Sequence, residues 1–376
     1  MGKRELLLIL LFVLLGAGVY WLTAPSADPG VEGFSVARMF ESVRREVSGN
    51  QASAERTTTA SEAVAASITE LRINVLRGPI TVIGEDRDTV ASELNVRSSG
   101  YDEAEALQLA TETVLQFEHT GSLLIARVEY PKPGRQTASV TLRVPSRLRI
   151  RIEGATSTLD VSGVTAVEAA QAQGETTIRN IGGRVSVSHR AGKLLIADAG
   201  SLRLTTRGSN TVIENIRAEA EVTTQAGGLT ASAIRGPLEL NASATRLDLT
   251  GAEQTEGIMR ITVAGGTVTL KEIATESRID LRNTPLNLHL ARPAEVAVFS
   301  EGDAPVRVTL PGGGFRLDAQ ARTGRITSDP QELFTSWGVG VERPEDASGE
   351  RLTGTIHGGG PLLTIRARAD IAFAVK

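Results

Sequence analysis

The chain has 376 residues, a formal net charge of -4 and a pI near 5.8, with no long block of one sign. That balance lacks the basic face that a nucleic-acid partner requires, and 3% aromatic residues leave little for stacking bases or sugars. There are no cysteines, which excludes a thiol nucleophile, a Cys-based zinc site, a disulfide framework and a lipidated N-terminal Cys.

Lys3 and Arg4 precede an unbroken run of apolar and small residues from Leu6 to Leu22. Seventeen residues is the lower edge for a bilayer-spanning helix and exceeds most signal-peptide cores. The next basic residue is Arg38, so the charge bias places the N-terminus in the cytoplasm and the rest of the chain outside it. Tyr20 and Trp21 sit where an interfacial anchor belongs. Residues 1–22 therefore read as an uncleaved signal anchor, a single-pass attachment to the cell membrane. Ala24-Pro25-Ser26 offers small residues for cleavage, but Pro25 makes a poor site.

Residues 23–67 are rich in Ala, Ser, Thr and Gly and read as a flexible extracytoplasmic linker, with a short helical pattern at Ser35–Val47. A flexible tether of that length reaches roughly 35–40 Å. The folded part is expected at 68–376: a first β unit at 68–152, a repeat core at 153–327, and an excursion with closing strands at 328–376. Leu71–Val75 and Ile80–Gly84 alternate around Arg77-Gly78-Pro79, and Val90–Arg97 adds a strand. Between Glu103 and Ala110 the spacing turns helical, with Asp102 as N-cap. One helix in a β chain reads as a cap over the open end of a stack.

From about Leu159 to Leu290 a short alternating phrase returns: Thr158–Val161, Thr177–Ile181, Leu195–Ala199 and Val212–Ile216. Inward positions are Ile, Leu and Val; outward ones are Arg, Asp, Glu, Thr and Ser. A recurrence near twenty residues built from period-2 strands and glycine turns predicts an all-β fold, a single-stranded β-helix or β-solenoid of expected right hand. Asp160, Asn180, Asp198 and Asn215 recur with the phrase and read as a structural ladder at the turns. A calcium ladder is the rival reading, but two of the four carry no charge and no Gly-rich nonapeptide surrounds them. Past Ser328 the rhythm breaks, with Phe334 and Trp337 in a small apolar cluster, before Leu352–Ile356 and Leu362–Arg368 resume it.

His357-Gly358-Gly359-Gly360 looks like a lipase oxyanion loop, yet the chain has no Gly-x-Ser-x-Gly elbow, so a closing turn is the better account. His119, His189 and His289 are far apart in sequence and predict no shared metal site. No catalytic residue, metal or cofactor is expected. The enzyme alternative, polysaccharide processing on a β-helix face, would need Glu239, Asp248 and Asp280 to converge. Arg179, Arg203, Arg246, Arg260 and Arg278 point outward with them and offer surface pairs instead.

Several stretches carry a family resemblance. They are Ile73-Asn74-Val75 with Gly78–Gly84, the Ala-rich helix near Glu103–Ala110, Leu142-Arg143-Val144-Pro145, and above all Gly354–Arg366. Over residues 68–376 the chain resembles the bacterial β-strand-repeat family labelled "putative adhesin", auto-transporter adhesin head-like, of unknown function. The resemblance implies an envelope-associated β-helical protein without known catalytic residues. The family's last strand usually opens Asn-Gly-Asp-Ile; here it reads Arg368-Ala369-Asp370-Ile371. The expectation is a membrane-tethered, periplasmic or extracellular module for adhesion, interaction or scaffolding. Its partners would be an envelope protein, a cell-wall polymer or its own copies. An envelope signalling or assembly partner of another membrane protein is the further alternative.

Overall fold

Alternation of apolar and polar residues runs through almost every segment, and the computed structural model turns that alternation into strands. It describes residues 52–154, 156–252, 257–343 and 349–376. Leu6–Leu22 and the linker up to residue 51 lie outside the described residues. Among the described residues no helix is long and apolar enough to cross a membrane. Residues 52–376 form one all-β unit with a large mixed sheet and two short helices.

The first strands are β1 (Ala52–Ala63), β2 (Glu70–Asn74), β3 (Ile80–Glu85) and β4 (Thr89–Gly100). Helix α1 (Glu103–Glu112) is followed by β5 (Val114–Thr120), β6 (Leu123–Glu129), β7 (Gln136–Pro145), β8 (Arg149–Glu153) and β9 (Thr156–Ser162). Next come the long β10 (Ala166–Ile216), β11 (Ala220–Ile234), β12 (Leu238–Thr250) and β13 (Met259–Ile273), each turning corners without leaving the ladder. β14 (Ser277–Arg282), β15 (Leu286–Leu290), β16 (Val296–Glu301), β17 (Val306–Leu310), β18 (Phe315–Ala321) and β19 (Ile326–Asp329) follow. Helix α2 (Leu333–Ser336), β20 (Val341–Glu342), β21 (Glu350–Ile356), β22 (Leu362–Ala367) and β23 (Ile371–Val375) complete the chain.

Parallel pairing at an offset of 16 to 21 residues organises the rungs that follow one another in sequence. Leu202 faces Ala220 and Ala220 faces Leu238, eighteen residues on each time, and Arg260 faces Arg278 at the same offset. Inward side chains consequently stack in columns. One column runs Leu204, Val222, Leu240, Ile261, Ile279, Val298, Ile365 and Ala319, all buried. A second runs Leu229, Leu247, Val268, Leu286, Val306, Ile371 and Ile326. Each such side chain contributes about 1.5–3 kcal/mol when taken fully out of water. No rung holds enough of them to fold alone.

Both ends are closed by a rung inserted out of sequence. β22 lies between β16 and β18, and β23 between β17 and β19, all parallel. At the other end β2 and β3 lie between the β6/β7 pair and the β8/β9 pair. Antiparallel strands finish the edges: β4 on β7, β1 on β4, β5 on β6, and β21 on β18. Helix α1 packs on β1 and β4, burying Ala106, Leu109 and Ala110, with Asp102 accepting the Glu105 N–H at 2.8 Å.

The structure departs from the expected linker at Ala52. Residues 52–63 form β1, laddered along its length with β4. Its Ala, Ser and Thr residues bury little side chain, so the backbone ladder and the cover from α1 hold it in place. The excursion at 328–352 does pack on the last rungs. Phe334 meets Phe373 edge-on with ring centroids 5.9 Å apart, and Trp337 meets Phe315 at 6.1 Å.

Candidate functional site

The predicted turn ladder is a column of left-handed residues. Asn180, Asp198 and Asn215 have φ of 56°, 57° and 53°, a region that Asn and Asp tolerate better than most side chains. The Asn215 amide donates to Asp198 Oδ1 at 2.5 Å. Asp160 is placed differently: it lies within β9 opposite Thr177, with the Arg179 guanidinium 3.6 Å away, and Gly163 takes the left-handed position on that rung. The column continues through Ala233, Gly251 and Glu272. Most of its members carry no acid, and among the described residues no three His, Cys, Asp or Glu side chains group as metal ligands. It is a corner of the backbone.

The outward carboxylates do not converge. Arg246 donates to Asp248 at 2.9 Å and Arg278 to Asp280 at 2.9 Å. Glu239 shares a column with Arg260 and Arg278, whereas Asp280 sits one column over with Asn241 and Thr262. Two rungs and two residues separate Glu239 from Asp280, about 12 Å at ordinary strand spacings, wider than the ~5–9.5 Å of glycosidase carboxyl pairs. Asp248 belongs to the other strand of its rung, in a column with Thr230 and Thr269.

Where a carboxyl is displaced from its ordinary value, it is displaced downward. Glu85 is held down by its bond from Arg143, Glu105 by the Tyr101 N–H and Lys132, and Asp318 by Arg366. Burial works against ionisation of Glu350, but the Ile326 N–H and Arg343 together outweigh it. A general acid at neutral pH needs the opposite displacement.

The histidines stay apart. His119 contacts Glu62 at 2.9 Å on the surface, and His289 lies on β15 opposite Thr309. His189 is buried, its Nδ1 2.8 Å from Ser209 Oγ, and burial pushes its pKa below the ordinary value. The His357–Gly360 segment is the turn between β21 and β22. A Cβ on Gly360 would lie 2.3 Å from the Gly314 carbonyl oxygen, so close backbone approach accounts for its glycine.

A groove that sequence reasoning missed lies beside the inserted rung. It encloses about 440 Å³ and is lined chiefly by Arg282, Phe299, Glu301, Arg322, Arg366 and Arg368. The register brings these together: Arg282 faces Glu301, the Arg368 N–H bonds to the Ser300 carbonyl, and the Arg322 N–H to that of Ala367. Arg366 faces Phe299 and binds the Asp318 carboxylate, while Arg368 Nε lies 3.3 Å from the highly exposed Asp303. The Arg278 guanidinium sits 5.0 Å from the Phe299 ring centre. Nothing in the linear sequence signals the groove, because residues 282 and 368 become near neighbours only when β22 enters between β16 and β18.

No family model matches the chain, and no curated protein matches it. Solved structures do. A "putative cell adhesion protein" from Clostridium sporogenes is 9% identical over 85% of this chain and 100% of its own, with a TM-score of 0.19. A "putative adhesin" from Parabacteroides distasonis is 14% identical over 68% of this chain and 97% of its own, at 0.29. Another from Parabacteroides merdae is 10% identical over 85% and 97%, at 0.25. The two Parabacteroides structures carry the "putative adhesin" label of the family that the sequence resembles. At these TM-scores the overlays carry no argument about partner or role.

Proposed function

We propose that the protein is a non-catalytic interaction module of the bacterial cell envelope, a β-solenoid that offers a charged sheet face to an adhesive or scaffolding partner. The observation that carries the reading is the register: outward side chains of successive rungs fall into straight columns, such as Glu221, Glu239, Arg260 and Arg278. An extended polymer or a second repetitive surface meets such a face at evenly spaced charges of both signs, one per rung. Residues 6–22 would hold the module at the membrane, with the β unit on the outer side, and the hand of the solenoid would be right. The dispersed, Arg-paired carboxylates support display over polysaccharide cleavage.

The test is co-sedimentation of the full chain with purified cell-wall polymers and envelope fractions, with polymer products assayed in the same tubes. Saturable retention without new reducing ends or unsaturated products is the expected result. Turnover of any polymer would overturn the reading.

A further inference from the structure

The groove at the inserted rung differs from the other arginine-rich clefts of the outward face in holding an aromatic side chain. Four arginines and one carboxylate line it, and a half-exposed phenylalanine lies among them in a chain with eight phenylalanines in all. Arg282, Glu301, Arg368 and Arg322 end four adjacent rungs, so the row spans about 14 Å at the 4.7–4.9 Å spacing of paired strands. That is the length of a few linked sugar rings. Arg368 lies on the exposed rim with its Nε 3.3 Å from Asp303 Oδ1, and its guanidinium has the planar geometry that pairs with carboxylate or sulfate oxygens.

We propose that this groove binds an anionic glycan, a sugar chain bearing carboxylate or sulfate groups. The guanidinium groups take the anionic groups, and the half-buried Phe299 side chain takes the apolar C–H face of a ring. The proposal deepens the display reading and rests on it, since it treats the bound polymer as held and not cut. Neutral polymers would lack the guanidinium groups' partner. A phosphate polymer without sugar rings would leave Phe299 unused.

The experiment is calorimetric titration of the full chain with oligogalacturonate, a sulfated dextran oligomer, neutral dextran and polyphosphate, with reducing ends measured afterwards. One or both of the acidic glycans should bind saturably and more tightly than dextran or polyphosphate; which one binds identifies the anionic group. Arg282→Ala and Arg368→Ala should each weaken that binding by about tenfold, as loss of a charge-assisted hydrogen bond does. Phe299→Leu should weaken it less. Arg149→Ala, which removes an exposed arginine from a distant rung, should leave it unchanged. Equal loss in Arg149→Ala, equal affinity for neutral dextran or polyphosphate, or no saturation by either acidic glycan would overturn the groove's assignment. Cleavage products accompanying Arg368-dependent binding would instead overturn the display reading and leave the groove's occupant standing.

Discussion

Gly192 and Gly208 occupy the same corner on neighbouring rungs, and replacing each by alanine separates two physical effects. Gly192 has φ +114°, and a Cβ there would lie 2.1 Å from the Gly174 carbonyl oxygen. Real Cβ contacts are essentially never under 3.0 Å, so the rungs must part by roughly an ångström. Backbone strain of this kind costs about 1–3 kcal/mol. Two ladder hydrogen bonds disturbed by the shift add about 0.5–1.5 kcal/mol each, so Gly192→Ala should cost about 2–6 kcal/mol. Gly208 has φ +65° with nothing near an added Cβ, and Ala191, Ala226 and Ala244 already adopt similar φ at this corner. Its left-handed penalty of about 1–2 kcal/mol is partly offset by about 0.4–1 kcal/mol from a stiffer unfolded chain. Gly208→Ala should therefore cost under about 1.5 kcal/mol. Urea unfolding followed by circular dichroism reads both, and amide exchange shows whether the loss is confined to the rungs touching residue 192. Equal costs for the two variants would refute the argument that the close rung contact and the φ of +114° together demand glycine at residue 192.

The buried His189 gives a pH prediction. Its folded pKa lies below the ordinary 6.5, so its contribution to stability is whole above that pH and is lost as pH falls from 6.5 toward the folded value. Unfolding midpoints between pH 8 and pH 5 should drop more steeply for the native chain than for His189→Gln; parallel slopes would contradict the assignment. Asp318 and Glu350 are depressed below 3.8 and 4.5, so a second loss should appear as pH falls beneath those values, reduced in Asp318→Asn. Phe373→Ala removes a side chain that is 1% exposed and packed edge-on to Phe334, and should cost about 3–5 kcal/mol by thermal unfolding. Asn215→Ala should cost about 1–2 kcal/mol through its left-handed φ and its bond to Asp198, whereas Ala233→Asn at the same corner should cost nothing measurable.

Much of the rung is legible in the linear sequence because parity is. Leu204, Val222 and Leu240 each sit in an alternating phrase, and alternation with a buried face leaves one choice of inward side. Helix α1 was legible for a similar reason, since Asp102 and the spacing of Ala106, Leu109 and Ala110 satisfy a cap and a face together. Asn180, Asp198 and Asn215 are legible at their corner because Asn and Asp tolerate a left-handed φ, whereas on the rung of Asp160 that position is held by Gly163, which carries no side chain to mark it. β1 was hidden because Ala, Ser and Thr signal neither burial nor strand strongly. The inserted rungs were hidden more deeply: alternation in Leu362–Ala367 says which side faces in, and nothing about which strand lies alongside. The groove depends wholly on that insertion, so no local pattern around Arg282, Phe299 or Arg368 could have revealed it.

One continuous outward face runs across the rungs, inserted strand included. The column Arg203, Glu221, Glu239, Arg260, Arg278, Ala297 and Thr364 crosses six rung steps, about 29 Å at strand spacing. The chain has no cysteine, so Arg203→Cys with Thr364→Cys gives two unique positions for spin labels. Pulsed electron-electron distance measurement should return a single narrow population centred near that length, broadened only by the label tethers. A broad distribution, or a centre more than about two rungs away, would contradict the register and the shared face.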